Sequence, residues 1–201
     1  MEYIKQQPKT KRGEETLRKI CEAAEQLFAE KGYYATEVAD ITRRAGISSG
    51  TFYIYFPDKI SSFRYLMDEL GHELRKEIHA AKEELHSNSM IELEALGMRK
   101  FFRFVSEHIG LFAIVWQSQF VDPESFKKYY ERFSSGYINE IQEAQKRGEI
   151  CSFNPTCLSY CLMGIYNFVA LKNFVFDGKE PDDEELEQIL SFVRRGLSEK
   201  P

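Results

Sequence analysis

Between positions 60 and 85, apolar side chains recur at Ile60, Phe63, Met67, Leu70, Leu74, Ile78, Ala81 and Leu85, always three or four residues apart. That register draws one apolar stripe along an α-helix and excludes the two-residue alternation of a half-buried strand. With Asp58 as its cap, the helix is roughly 28 residues long, about 42 Å at 1.5 Å per residue. A stripe of that length is covered most simply by other helices, so the rest of the chain is read for the same period.

The period is found almost everywhere. Leu17, Ile20, Ala24, Leu27 and Phe28 define a helical face over 14–31, stopped by Gly32. A short helix is expected over 37–45, with Thr36 as N-cap and Val38 and Ile41 turned inward. Gly46 supplies a tight turn, Ser48 caps a third short helix, and Pro57 ends it by Phe56. Beyond the long helix, patterns recur over 91–108, 111–119, 123–147, 155–176 and 182–197. Ser87 to Ser89, Gly110, Asp122 with Pro123, Gly148 with Asn154 and Pro155, and residues 177–181 separate them. The expected fold is all-α with about nine helices: an N-terminal three-helix domain with a helix-turn-helix, and a larger C-terminal helical domain.

Composition narrows the classes. Of 201 residues 43% are hydrophobic, enough to bury a core, and the formal net charge is -5. Four cysteines, at 21, 151, 157 and 161, are too few and too unevenly spread for a disulfide framework. The apolar run at 109–116, about eight residues, falls well short of the ~20 that span a bilayer. The opening residues lack the apolar stretch of a signal peptide. A cytoplasmic protein without a membrane partner is the expectation. The charge is uneven: residues 1–60 carry 10 Lys+Arg and 9 Asp+Glu, and residues 61–201 carry 17 and 23. Lys5, Lys9, Lys11 and Arg12 face only Glu2 in the first twelve positions, so 1–12 reads as a flexible basic arm, whether it reaches a phosphate backbone or is simply a solvated tail.

A short helix, a glycine turn and a second short helix are the parts of a helix-turn-helix, whose second helix enters the DNA major groove. Such hairpins are also common in ordinary helical folds. The composition of the third helix is the sharper signal: Ser48, Ser49, Thr51, Tyr53 and Tyr55 carry hydroxyls, which suit phosphate oxygens and base edges, and only Phe52 and Phe56 read as packing residues.

The stretch GYYATEVADITRRAGISSGTFYIYFPDK, residues 32–59, resembles the DNA-binding signature of TetR-family transcriptional regulators. The matching positions are Gly32, Thr36, Val38, Ile41, Ala45 to Ser48, Gly50 to Tyr53, Tyr55, Phe56 and Lys59. The resemblance covers about residues 12–74; Thr42, Ile60 and Ser62 depart from the usual pattern. It implies a dimeric, ligand-responsive regulator, more often a repressor, on a near-palindromic double-stranded operator. The implied organisation is the arm at 1–12, a helix-turn-helix domain at 13–57, and an effector-binding and dimerisation domain at 58–201 with helix 58–86 as connector. Carried over by position, Thr36 holds a phosphate at the start of the second helix; Ser48, Ser49, Thr51 and Tyr53 lie in or beside the major groove; Tyr55 and Lys59 grip flanking phosphates. Arg43 and Arg44 touch the backbone or form a solvated helix face. Gly50 leaves room for close approach to DNA.

Residues 101–137 hold eleven aromatics. A packed helical core accounts for any one of them; the cluster suits an apolar pocket for a small apolar or aromatic effector. Phe112, Trp116, Gln117, Phe120, Tyr130, Tyr137, Tyr166 and Asn167 are its candidate linings. The apolar faces of the last two helices fit a two-fold interface. Rival readings are a redox or metal site built on Cys151, Cys157 and Cys161, a helical adaptor without DNA, and an enzyme. His72, His79 and His86 share a helical stripe, but no Gly-rich phosphate loop, GxSxG or HExxH motif occurs. No enzyme activity, cofactor or metal is expected.

Overall fold

The computed structural model describes residues 3–198, and only the backbone of residue 111. Its elements are α1 (Lys11–Ala35), α2 (Val38–Ala45), α3 (Ser49–Tyr55), α4 (Lys59–Leu85), α5 (Met90–Glu107), α6 (Ile109–Val121), α7 (Pro123–Lys146), α8 (Pro155–Ala170), a π-helical turn (Leu171–Asp177) and α9 (Asp183–Leu197). The described residues are therefore all-α with nine α-helices, as the apolar periods require. None of these helices is long and apolar enough to cross a membrane.

Two compact units emerge. One contains residues up to His72 together with His108–Tyr129; the other contains Glu73–Glu107 and the chain from Tyr130 onward. In the first, α1 packs on both α2 and α6. Its core is Leu17, Ile20, Ala24, Leu27 and Phe28 of α1 with Ile41, Phe52, Phe56 and Phe63. Phe28, Tyr33 and Phe63 form a ring triad with centroids 5.1–5.6 Å apart. Truncating one of its buried phenylalanines to alanine costs about 3–5 kcal/mol.

The presence of α6 in this unit has a specific cause. Gly32 (φ +82°) breaks α1 and frees backbone groups of its last turns. Gln117 of α6 takes them up: its Oε1 accepts from Tyr33 N–H at 2.7 Å and its Nε2 donates to Phe28 O at 2.9 Å. Below it, Arg64 of α4 donates to the buried Asp122 carboxylate at 2.6 Å.

In the second unit, α5 packs on α8 and α9. The buried residues of these helices are Met90, Met98, Phe102 and Val105 on α5, Leu158, Leu162 and Tyr166 on α8, and Leu186, Leu190 and Val193 on α9. The α-helix expected through residue 176 opens into the π turn at Leu171. There Asn173 is fully buried and donates to Val169 O at 3.2 Å and Glu185 Oε1 at 3.0 Å, a side-chain insertion of the kind that accompanies π-bulges.

Two further local expectations need correction. Thr36 is not the N-cap of α2: Glu37 is, in a capping box with Asp40. The basic arm is not free through residue 12. Lys5 N–H donates to Tyr55 O at 2.8 Å, and Thr10 caps a helix that has begun by Lys11. Met1 and Glu2 lie outside the described residues.

Candidate nucleic-acid interface

The turn between α2 and α3 is set by Gly46, which adopts φ +66° and ψ +36°, the left-handed conformation that glycine takes without strain. It closes α2 in two ways: Gly46 N–H donates to Arg43 O and Ile47 N–H to Thr42 O. Ser48 then caps α3, its Oγ accepting from Thr51 N–H at 3.2 Å and lying 2.9 Å from the Thr51 hydroxyl. Phe52 and Phe56, both fully buried, anchor the inner face of α3.

The outer face presents Ser48, Ser49, Gly50 and Tyr53, with Thr51 half-buried. A Cβ on Gly50 would meet only Ser48 Oγ, at 3.7 Å, so nothing inside the protein requires a glycine there. Of the two arginines, Arg43 is the more open, its side chain 75% exposed beside Asp40. Arg44 forks onto Glu30 at 2.6 and 2.8 Å. Asp40 also receives Lys31, and that hydrogen bond, with one from Glu37 N–H, holds its carboxyl down to about 2.

Three residues that the resemblance assigns to phosphate contacts make hydrogen bonds within the protein. Thr36 is fully buried and its hydroxyl donates to Gly32 O at 2.8 Å and Leu27 O at 3.2 Å, sealing the kink in α1. Tyr55 is buried, its hydroxyl donating to Gly13 O at 3.1 Å. Lys59 Nζ donates to Thr36 O at 2.6 Å and Tyr33 O at 2.8 Å, and sits 4.2 Å from the Tyr33 ring centre. Burial pushes the Lys59 ammonium below its ordinary value. These two carbonyls take two of the three N–H donors of the ammonium. Together the bonds of the three residues tie the end of α3 and the start of α4 to α1 and the residue that follows it.

The candidate effector residues divide between the units. Phe112, Trp116, Gln117 and Phe120 lie on α6; Phe112 is buried, Gln117 is the fastener of α1, and Phe120 is 75% exposed. In the second unit Tyr130 Oη donates to Asn167 Oδ1 at 3.2 Å. Tyr166 Oη donates to Glu94 Oε1 at 2.7 Å, and Tyr137 Oη lies 3.5 Å from the same oxygen.

Glu94 was not among the expected residues and is the least ordinary group in the unit: a carboxyl 2% exposed, which burial pushes up to about 7. Its signal was present in the sequence. Met90, Glu94, Met98, Phe102 and Val105 share one stripe of α5, so a charged residue occupies a core position. The cysteines do not assemble a metal centre: Cys157 and Cys161 are exposed on α8, and among the described residues no group of three or more metal-ligating side chains converges.

A family model described as bacterial regulatory proteins, tetR family, matches residues 20–61. An uncharacterized HTH-type transcriptional regulator of Bacillus subtilis, YdgC, is 25% identical over 175 residues, covering 85% of this chain and 87% of its own. The fatty acid metabolism regulator protein of Bacillus subtilis is 29% identical over 143 residues, covering 65% of this chain and 69% of its own. Among solved structures, the transcriptional regulator FadR from Bacillus subtilis in complex with stearoyl-CoA superposes with a TM-score of 0.77 at 20% identity, over 90% of this chain and 98% of that one. That likeness shows the shared fold.

Proposed function

Because the chain belongs to the TetR family of transcriptional regulators, we propose that it is a dimeric repressor which leaves a near-palindromic operator when a small effector with an apolar or aromatic body binds its second unit. The observation that carries the DNA-facing half of this reading is the exposed face of α3. Ser48, Ser49, Gly50 and Tyr53 stand outward there, with Thr51 half-buried beside them, from a helix whose other face is locked by Phe52 and Phe56. We assign Ser48, Ser49, Thr51 and Tyr53 to the groove and Arg43, with Arg44 once it leaves Glu30, to the phosphates.

An apolar stripe on α8, with Cys157, Cys161 and Phe168 exposed one or two turns apart, and Phe192 exposed on α9 support a two-fold interface. Two copies of α3 related by that axis would read half-sites about one helical turn, 34–36 Å, apart. Because α4 is a single helix whose residues belong to both units, a displacement of its second half alters the separation of the two recognition helices. A coupling of about 1–3 kcal/mol suffices for a 5- to 150-fold change in affinity. The relatives' names, a fatty acid metabolism regulator and a regulator bound to stearoyl-CoA, agree with an apolar body for the effector.

The test is a binding selection on sheared genomic DNA at low and moderate salt, with the Tyr53→Ala variant alongside. A palindromic site retained at moderate salt by the parent and lost by the variant is the expected result. Enrichment that is identical for both proteins would overturn the assignment of α3. Sedimentation as a monomer at micromolar concentration would overturn the dimer.

A further inference from the structure

The second unit buries more acid than base. Four helices contribute to one polar cluster: Lys82 from α4, Glu94 from α5, Tyr137 and Glu140 from α7, and Tyr166 from α8. The fifth neighbour, α9, sends only Leu186, Leu190, Val193 and Leu197 inward. Lys82 is the one cation in the cluster, and it is already engaged: its Nζ donates to Glu140 Oε2 at 2.6 Å and lies 5.6 Å from the Tyr137 ring centre. Burial and the neighbouring carboxylates raise both tyrosine hydroxyls well above their ordinary range, so they stay neutral donors. With Glu94 ionised the cluster sums to one uncompensated negative charge in a low-dielectric interior, a costly state. A proton on Glu94 removes it, and so would a cation from outside.

The surroundings suit such a cation. Tyr166 packs edge-on against Phe102 with ring centres 6.4 Å apart, and Phe102 in turn lies edge-on to Phe101 at 5.4 Å and tilted against Phe174 at 6.5 Å. An aromatic cluster of this kind covers the apolar carbon of a ligand, and aromatic rings attract cations through their faces. The cluster also has an accessible edge: Tyr137 keeps part of its surface open, and the Lys82 and Glu140 side chains are 15% and 31% exposed.

Resting on the reading of the second unit as effector-binding, we propose that Glu94, with Tyr137 and Tyr166, is the polar anchor of the effector site and selects a ligand with an apolar or aromatic body and one protonated nitrogen. The ammonium takes the place of the Glu94 proton: its N–H groups donate to the carboxylate, the two tyrosine hydroxyls hold that carboxylate in place, and the displaced proton leaves to solvent. A fatty acid or other apolar anion would add a second negative charge and is disfavoured at this position.

The experiment is a thermal-shift screen of the full-length protein at pH 7 against matched naphthylethylamine, naphthylethanol and naphthylacetate, and a parallel series of medium-chain alkylamines, alcohols and carboxylates. Stabilisation by amines, absent for the matched alcohols and acids and reduced at least tenfold in apparent affinity by Glu94→Gln, is the expected result. Stabilisation by the acids, amine shifts retained in the variant, or no amine-specific shift at all overturns the proposal. Should the variant fail to fold, the wild-type protein suffices: calorimetry at pH 6 in two buffers of different ionisation enthalpy should show about one proton released per amine bound, and none released overturns it. The underlying reading fails separately, if amines bind through Glu94 but leave operator affinity unchanged.

Discussion

Replacing Glu94 by glutamine should remove one pH-dependent contribution to stability, and the size of the effect follows from its burial. The carboxyl is 2% exposed and sits at about 7 instead of the ordinary 4.5. A carboxyl raised on folding binds its proton more tightly in the native state. Its stabilisation is therefore full below the unfolded value of 4.5 and disappears as pH rises through 7. At 1.36 kcal/mol per pKa unit, the whole shift corresponds to about 3 kcal/mol, of which roughly 2–3 kcal/mol is lost between pH 5 and pH 8. Glutamine has nearly the same shape, can accept the Tyr166 hydroxyl through its amide oxygen, and does not titrate. Chemical denaturation of both proteins across pH 5–8 isolates the effect, because every other titrating group cancels in their difference. The difference in unfolding free energy should fall steadily in favour of the variant with rising pH, with most of the change between pH 5 and pH 7. Parallel curves across that range would refute the view that Glu94 is held protonated by an interior lacking a spare cation.

Gly50→Ala should leave stability unchanged or raise it by up to about 1 kcal/mol, since alanine is the better helix former and no internal atom blocks its Cβ; operator affinity should fall nonetheless, and melting and gel-shift titrations read the two effects separately. Gln117→Ala removes both hydrogen bonds that fasten α6 to the end of α1 and should destabilise the first unit by about 1–3 kcal/mol, measured by urea unfolding. Lys59→Met should cost stability on the same scale but leave the salt dependence of operator binding unaltered, whereas Arg43→Ala should lower the salt slope by about one. Thiol alkylation of Cys161 should slow as protein concentration rises through the dimer dissociation constant; a concentration-independent rate would count against α8 at the interface.

The helices of this protein are local objects, and the sequence alone determined them. A three-and-four apolar period, a serine cap such as Ser48, and breaks such as Gly46, Pro57 and Asn154 with Pro155 depend on neighbours within one turn, and the observed elements start and stop within a few residues of those signals. The DNA-reading segment was legible for the same reason, because α2, the turn and α3 occupy fewer than twenty consecutive residues. Tertiary structure decided what side chains from distant segments do to one another. Thr36, Tyr55 and Lys59 look in sequence like solvent-facing hydroxyls and a cation; the carbonyls of Leu27, Gly32, Gly13 and Tyr33 turn all three inward. Gln117 joins α1 across 84 positions. Glu94 becomes a buried acid only because α7 and α8 close over α5 with Lys82 already paired. Sequence pattern specifies which face of a helix is apolar; the crossing of helices decides which polar group is trapped beneath that face and what chemistry it must then seek.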